Sequence, residues 1–138
     1  MIAEIEGDIF KTDPRTRIIV HQANCFNTLA DGTASGIAGI IGKLYPEAKA
    51  ADAKTEKGDK RPTNYNALVE GLEWIKARLE HSMATRAGFN FTLAIPYGLG
   101  CVRGGGSWQI VEAIIMSVFT DAAFDVEIIR LPGQENLK

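Results

Sequence analysis

Two glycine-bearing segments carry residue types suited to holding an anion. The first runs from Asn24 to Gly36 and ends in Ser35-Gly36-Ile37-Ala38. The second is Gly98-Leu99-Gly100-Cys101, followed by Arg103-Gly104-Gly105-Gly106-Ser107-Trp108. Each follows an apolar, strand-like run, Ile18-Ile19-Val20 and Phe91-Thr92-Leu93-Ala94-Ile95, and each leads into a helix-like pattern. Glycine lets backbone N–H groups approach a phosphate with no Cβ in the way, and a helix N-terminus adds partial positive charge. Both loops are predicted at carboxyl ends of sheet strands, where nucleotides bind in α/β proteins. Two such loops facing one crevice could hold a diphosphate.

The elements that must position these loops are legible in outline. Met1 to Ile5 reads as a first strand ended by Gly7-Asp8, with Asp13-Pro14 marking the next turn. Arg17 to Ala23 is the second strand, and its β-branched run suits a buried place in a mostly parallel sheet. Gly36 to about Leu44 opens a helix with Ser35 as candidate N-cap, and Tyr45-Pro46 interrupts it before an alanine-rich continuation. After Pro62, the apolar residues Tyr65, Leu68, Val69, Leu72, Ile75 and Leu79 recur at helical spacing. Arg86 to Asn90 is a polar turn, and Phe91 to Pro96 a strand. Ser107 is predicted to cap a helix in which Trp108, Val111, Ile115, Val118 and Phe119 share a face. Asp125 to Leu131 is the last strand, followed by Pro132-Gly133 and a tail expected to fray. The alternation predicts an α/β fold, a three-layer α/β/α sandwich. One connection is unusual: only Gly58-Asp59-Lys60-Arg61 separates the first helical region from the long helix, with no strand between them.

Composition bounds the alternatives. The 138 residues suit a single domain, 1–138, and 46% hydrophobic with 23% charged content is that of a globular chain. A formal charge of −2 gives no counterion-release drive for non-specific nucleic-acid binding. Lys54, Lys57, Lys60 and Arg61 form the densest cationic stretch, but acidic residues are interleaved there, as on a solvated helix end. Cys25 and Cys101 are the two cysteines, without CxxC or metal-ligand clustering, so neither a metal nor another cofactor is expected. There is no basic stretch followed by an apolar core and no run long enough for a bilayer, so a cytoplasmic, reduced protein without membrane contact is expected.

Four segments in order carry a family resemblance: Gly7-Asp8-Ile9, Ile18-Ile19-Val20-His21-Gln22-Ala23-Asn24, Ser35-Gly36-Ile37-Ala38, and Ile95-Pro96-Tyr97-Gly98-Leu99-Gly100-Cys101 with Trp108. Together they resemble the macro domain, the ADP-ribose-binding module, in the small stand-alone type that includes ADP-ribose 1''-phosphate phosphatases and terminal ADP-ribose glycohydrolases. The resemblance implies a central mixed, mostly parallel sheet. It also implies that Asp8 accepts a hydrogen bond from the adenine 6-amino group while the Ile9 N–H meets a ring nitrogen. Asn24, with Ala23 beside it, would contact the distal ribose. Ser35, Gly36, Ile37 and Ala38 would wrap one phosphate, and Gly98, Leu99, Gly100 and Cys101 the other. Leu131 would pack against the adenosine end. His21 would act with Asn24 as general base or acid on water. Simpler readings stand beside these: Asp8 and Asn24 as turn residues, Leu131 at the core edge, the second glycine loop as a plain bend, and His21 turned away from Asn24 by strand alternation.

The chain also departs from the family pattern. Thr33-Ala34 replace the usual Met-Gly, Val102 stands where many relatives have Gly, and Gly104 occupies the position of the glycohydrolase aspartate. The segment that would supply that branch's lysine is lacking, as are the edge strands normally found between the first two helices. Either a truncated variant hides its exposed edge by forming a homodimer, or a segment is missing between roughly Gly58 and Arg61. Three functions compete: ADP-ribose binding with hydrolysis of ADP-ribose 1''-phosphate, non-catalytic capture of ADP-ribose or a nucleotide signal, and ADP-ribosyl hydrolysis on modified protein or DNA.

Overall fold

The computed structural model describes residues 1–11, 16–21, 36–54, 64–101, 106–134 and 136–137. Along them run β1 (Ile2–Glu6), β2 (Thr16–Ile19), α1 (Gly36–Leu44), α2 (Pro46–Ala53), α3 (Tyr65–Thr85), β3 (Phe91–Pro96), α4 (Trp108–Phe119) and β4 (Asp125–Arg130). The chain divides into two compact units, one comprising Met1–Val20 and Pro62–Lys138, the other His21–Arg61.

In the first unit the strands form one sheet in the order β1-β4-β3-β2. All three pairings are parallel, so the sheet expected to be mixed has a single strand direction among the described residues. Each connection returns the chain to the same end of the sheet, which is what parallel pairing requires. Every residue of β3 is buried, as an inner strand of a parallel sheet should be. Leu93 pairs with Val126 and Ile95 with Ile128, so these four share one face. Thr92, Ala94, Arg17, Glu127 and Ile129 fall on the other face by the same register.

Helices α3 and α4 pack together and close the first face. All five residues expected on the inner stripe of α4, Trp108, Val111, Ile115, Val118 and Phe119, are buried. Leu72 is the buried residue of α3, with Tyr65, Leu68, Ile75 and Leu79 packed around the same core. Full burial of such side chains contributes about 1.5–3 kcal/mol each. The N-cap of α3 is Asn64, whose side chain accepts from the Ala67 N–H at 3.1 Å. Ser107 occupies the N-cap of α4 as expected, but its side chain makes no capping bond. Its N–H instead donates to Tyr65 Oη at 2.9 Å, tying the start of α4 to the start of α3.

Strand β2 departs from expectation. It spans Thr16–Ile19 rather than Arg17 to Ala23, with Val20 adding one more bond from its N–H to Ala94 O at 2.9 Å. Arg17, Ile18 and Ile19 are half-buried, and among the described residues β2 is an edge of the sheet. The tail departs too: Leu137 packs against the core and its N–H donates to Tyr97 Oη at 2.9 Å. β4 ends at Arg130, one residue earlier than expected.

In the second unit, α1 stops at Leu44 and Pro46 opens α2. Proline is well suited to a first helical position, where its missing N–H is not needed. The Tyr45 N–H closes α1 onto Ile41 O at 2.9 Å, and Tyr45 O then accepts from Ala48 at 3.0 Å.

Candidate functional site

The sheet places three of the expected site segments side by side. The Asp8 turn follows β1, Leu131 follows β4 and the glycine loop follows β3, and these strands are consecutive in the sheet. Two further bonds hold their carboxyl ends level: Gly7 N–H to Arg130 O and Tyr97 N–H to Ile129 O, both 2.9 Å. Neighbouring strands lie about 4.8 Å apart, so the Asp8 turn and the glycine loop are separated by roughly 10 Å, about the span of an adenosine.

Asp8 is exposed, and its Oδ1 accepts from the Phe10 N–H at 2.9 Å while its main-chain oxygen accepts from the Lys11 N–H at 3.1 Å. The carboxylate therefore does shape a turn, and its second oxygen has no partner among the described residues. Ile9 is buried, 2% exposed, which fixes the backbone between Asp8 and Phe10. Leu131 is 42% exposed and so is not a core leucine. Its apolar surface faces solvent at the same edge as Asp8.

The glycine loop is two successive turns. The Leu99 N–H donates to Pro96 O at 3.1 Å and the Cys101 N–H to Gly98 O at 2.9 Å. Gly98 and Gly100 have φ of 81° and 75°, the left-handed region that side chains with a Cβ resist. Two of the four amides expected to cradle a phosphate are thus committed within the loop, whereas the Gly98 amide has no partner among the described residues. The Gly106 N–H donates to Gly100 O at 3.0 Å, so the chain returns to the loop just before the N-terminus of α4. That helix end aims its partial positive charge toward the same region.

Tyr97 anchors the loop. Its ring lies 4.7 Å from that of Trp108, centroid to centroid, with the Arg130 guanidinium 5.7 Å away over its face. The Tyr97 hydroxyl donates to Asn136 Oδ1 at 3.2 Å. Cys101 is half-buried, its thiol donating to Leu99 O at 3.4 Å, and burial raises its pKa above the ordinary thiol value. That favours the packing role expected for it over a nucleophilic one.

Arg17, to which sequence reasoning gives no role, reaches the Asp8 turn. Arg17 Nη1 donates to Asp8 O at 3.1 Å and to Lys11 O, and Nη2 lies 3.5 Å from Glu127 Oε2. A lone arginine opening an apolar strand gives no signal for such a contact. The described strand ladder ends with the Val20 N–H bond to Ala94 O. His21 is half-buried and belongs to the second unit, in which α1 begins at Gly36, the residue after the expected cap. Ala23, Asn24 and Ser35 lie outside the described residues, as do the side chains of Ile37 and Ala38. No described helix is long and apolar enough to cross a membrane.

Solved structures share this arrangement of strands and helices. The chain is similar to the macrodomain of Mycobacterium tuberculosis DarG, with 21% identity and a TM-score of 0.69, covering 96% of this chain and 99% of that one. The fold is that of a macrodomain. The macrodomain of Thermus aquaticus DarG matches at 17% identity and a TM-score of 0.69, over 96% of this chain and 99% of that one. Thermosipho africanus DarTG, solved in complex with ADP-ribose, matches at 17% identity and a TM-score of 0.66 over 90% of this chain. The chain spans 40% of the length of that Thermosipho protein. No protein-family model matches the chain, and neither does any curated protein. The macrodomain architecture read from the four sequence segments is therefore borne out at the level of fold.

Proposed function

We propose that this protein binds ADP-ribose or a derivative of it along the carboxyl edge of β1, β4 and β3. The observation that carries the reading is the lateral order of three chemically distinct features: the Asp8 carboxylate, the exposed Leu131, and the positive-φ glycine loop, with one Asp8 oxygen and the Gly98 amide uncommitted among the described residues. Asp8 would take the adenine 6-amino group, Leu131 the adenosine face, and the glycine loop with the start of α4 a phosphate. Thermosipho africanus DarTG, solved in complex with ADP-ribose, supports the same ligand class.

Turnover is assigned to His21 and Asn24. In hydrolysis of ADP-ribose 1''-phosphate, water adds to phosphorus, the P–O bond to the distal ribose breaks, and ADP-ribose and phosphate leave. His21 would hold the proton that moves and Asn24 would orient the water. Gly104 in place of a carboxylate favours capture without turnover as the second reading.

Calorimetric titration with ADP-ribose tests the ligand, comparing the native chain with Asp8→Ala. The substitution removes a charge-assisted hydrogen bond worth about 1.5–3 kcal/mol, so affinity should fall at least tenfold. Binding indifferent to Asp8→Ala would overturn the adenine assignment. Phosphate release from ADP-ribose 1''-phosphate, lost in His21→Ala and Asn24→Ala, separates enzyme from binder.

A further inference from the structure

We infer that Arg17 is a positioning residue for adenine recognition, holding the Asp8 turn in place from the far edge of the sheet. The inference rests on the ADP-ribose reading. Arg17 stands on β2 and Asp8 follows β1, the two opposite edges of the order β1-β4-β3-β2. The arginine side chain, 12% exposed, projects from the face that also carries Thr92, Ala94 and Glu127, and meets there the turn by which the chain leaves β1. The alanine at position 94, paired with Glu127, presents only a methyl group there.

The guanidinium divides its donors between two tasks. Nη2 meets the Glu127 carboxylate on β4, which fixes the head group on the sheet. Nη1 donates to the main-chain oxygens of Asp8 and Lys11, the first and last residues of one turn. Inside that turn the Lys11 N–H bonds Asp8 O and the Phe10 N–H bonds Asp8 Oδ1. One cation thus sets the carbonyl from which the Asp8 side chain is hung. Planar, fixed-fork donors suit arginine to this and lysine does not. Arg17 Nε and Thr92 Oγ1 are buried without a partner among the described residues. A guanidinium desolvated at that cost points to a role that an apolar side chain could not fill.

The test uses ADP-ribose and its analogue whose purine lacks the 6-amino group, titrated against the native chain and Arg17→Met. The native chain should prefer ADP-ribose about tenfold. In Arg17→Met, folded by circular dichroism, that preference should shrink to roughly twofold while the analogue binds as before. A preference that survives, or equal weakening of both ligands, overturns the positioning role, because loss of general stability affects both alike. Should Arg17→Met not fold, Glu127→Gln decides. It keeps a hydrogen-bond acceptor without the charge and should narrow the preference partway, and an unchanged ratio overturns the inference. A native chain that binds ADP-ribose without discrimination overturns it while leaving the ligand class standing. A native chain that binds neither ligand removes both.

Discussion

Gln134 grips Tyr97: its side-chain amide donates to the main-chain oxygen of Tyr97 at 3.0 Å, while its own side-chain oxygen accepts from the Leu131 N–H at 3.1 Å. One residue beyond β4 therefore joins the turn carrying Leu131 to the loop that follows β3.

Replacing it by alanine removes both bonds, and Gln134→Ala should lower unfolding free energy by about 1–2 kcal/mol in a denaturant titration. Its affinity for ADP-ribose should fall about threefold, since a loop no longer held must be ordered by the ligand. Lost stability with undiminished affinity would show that the remaining contacts of Tyr97, to Trp108, Arg130, Asn136 and Leu137, suffice to position it.

The glycine loop makes a sharper demand. Gly98→Ala and Gly100→Ala each place a Cβ at positive φ, costing about 1–2 kcal/mol. Thermal unfolding should show that loss. Isothermal titration should show weakened binding in Gly98→Ala above all, because its amide has no partner among the described residues.

Cys101 should report on loop occupancy. Burial keeps its thiol protonated to higher pH than a free cysteine, so its alkylation by iodoacetamide, followed by peptide mass mapping, should begin at higher pH than for a model thiol. Saturating ADP-ribose should slow it further. The unfolded chain releases this proton first, so the same shift makes stability decline as pH rises beyond the ordinary thiol range.

Core and surface apolar residues of α3 should behave oppositely. Leu72→Ala, at a site 2% exposed, should cost about 2–5 kcal/mol. Trp74→Ser, at a site 64% exposed, should stay within about 0.5 kcal/mol in the same measurement.

What the sequence revealed follows the range of the interactions. The α4 stripe was legible because helical spacing alone selects Trp108, Val111, Ile115, Val118 and Phe119. The stop at Leu44 was legible because Pro46 announces it. The reach of Arg17 to Asp8 and Glu127 was not, since it depends on strand order and register, which no local pattern encodes. The tail gave a misleading signal for the same reason. Gln134, Asn136 and Leu137 look like terminal polar chain until Tyr97 is seen to bind all three. β2 was read too long because β-branched content marks strand propensity, whereas pairing partners decide where a strand stops.

Among the described strands, the one that joins β1 to the rest of the sheet comes latest in sequence. β4 lies between β1 and β3, and Val126 pairs with both Ile2 and Leu93. During translation β1 emerges well before β4, the strand with which it pairs among the described residues. Contacts between such distant segments make folding slow, and unpaired strands are open to association with other chains in the meantime. The yield of native protein should therefore respond to elongation rate and to chaperone supply more than to the final stability of the fold.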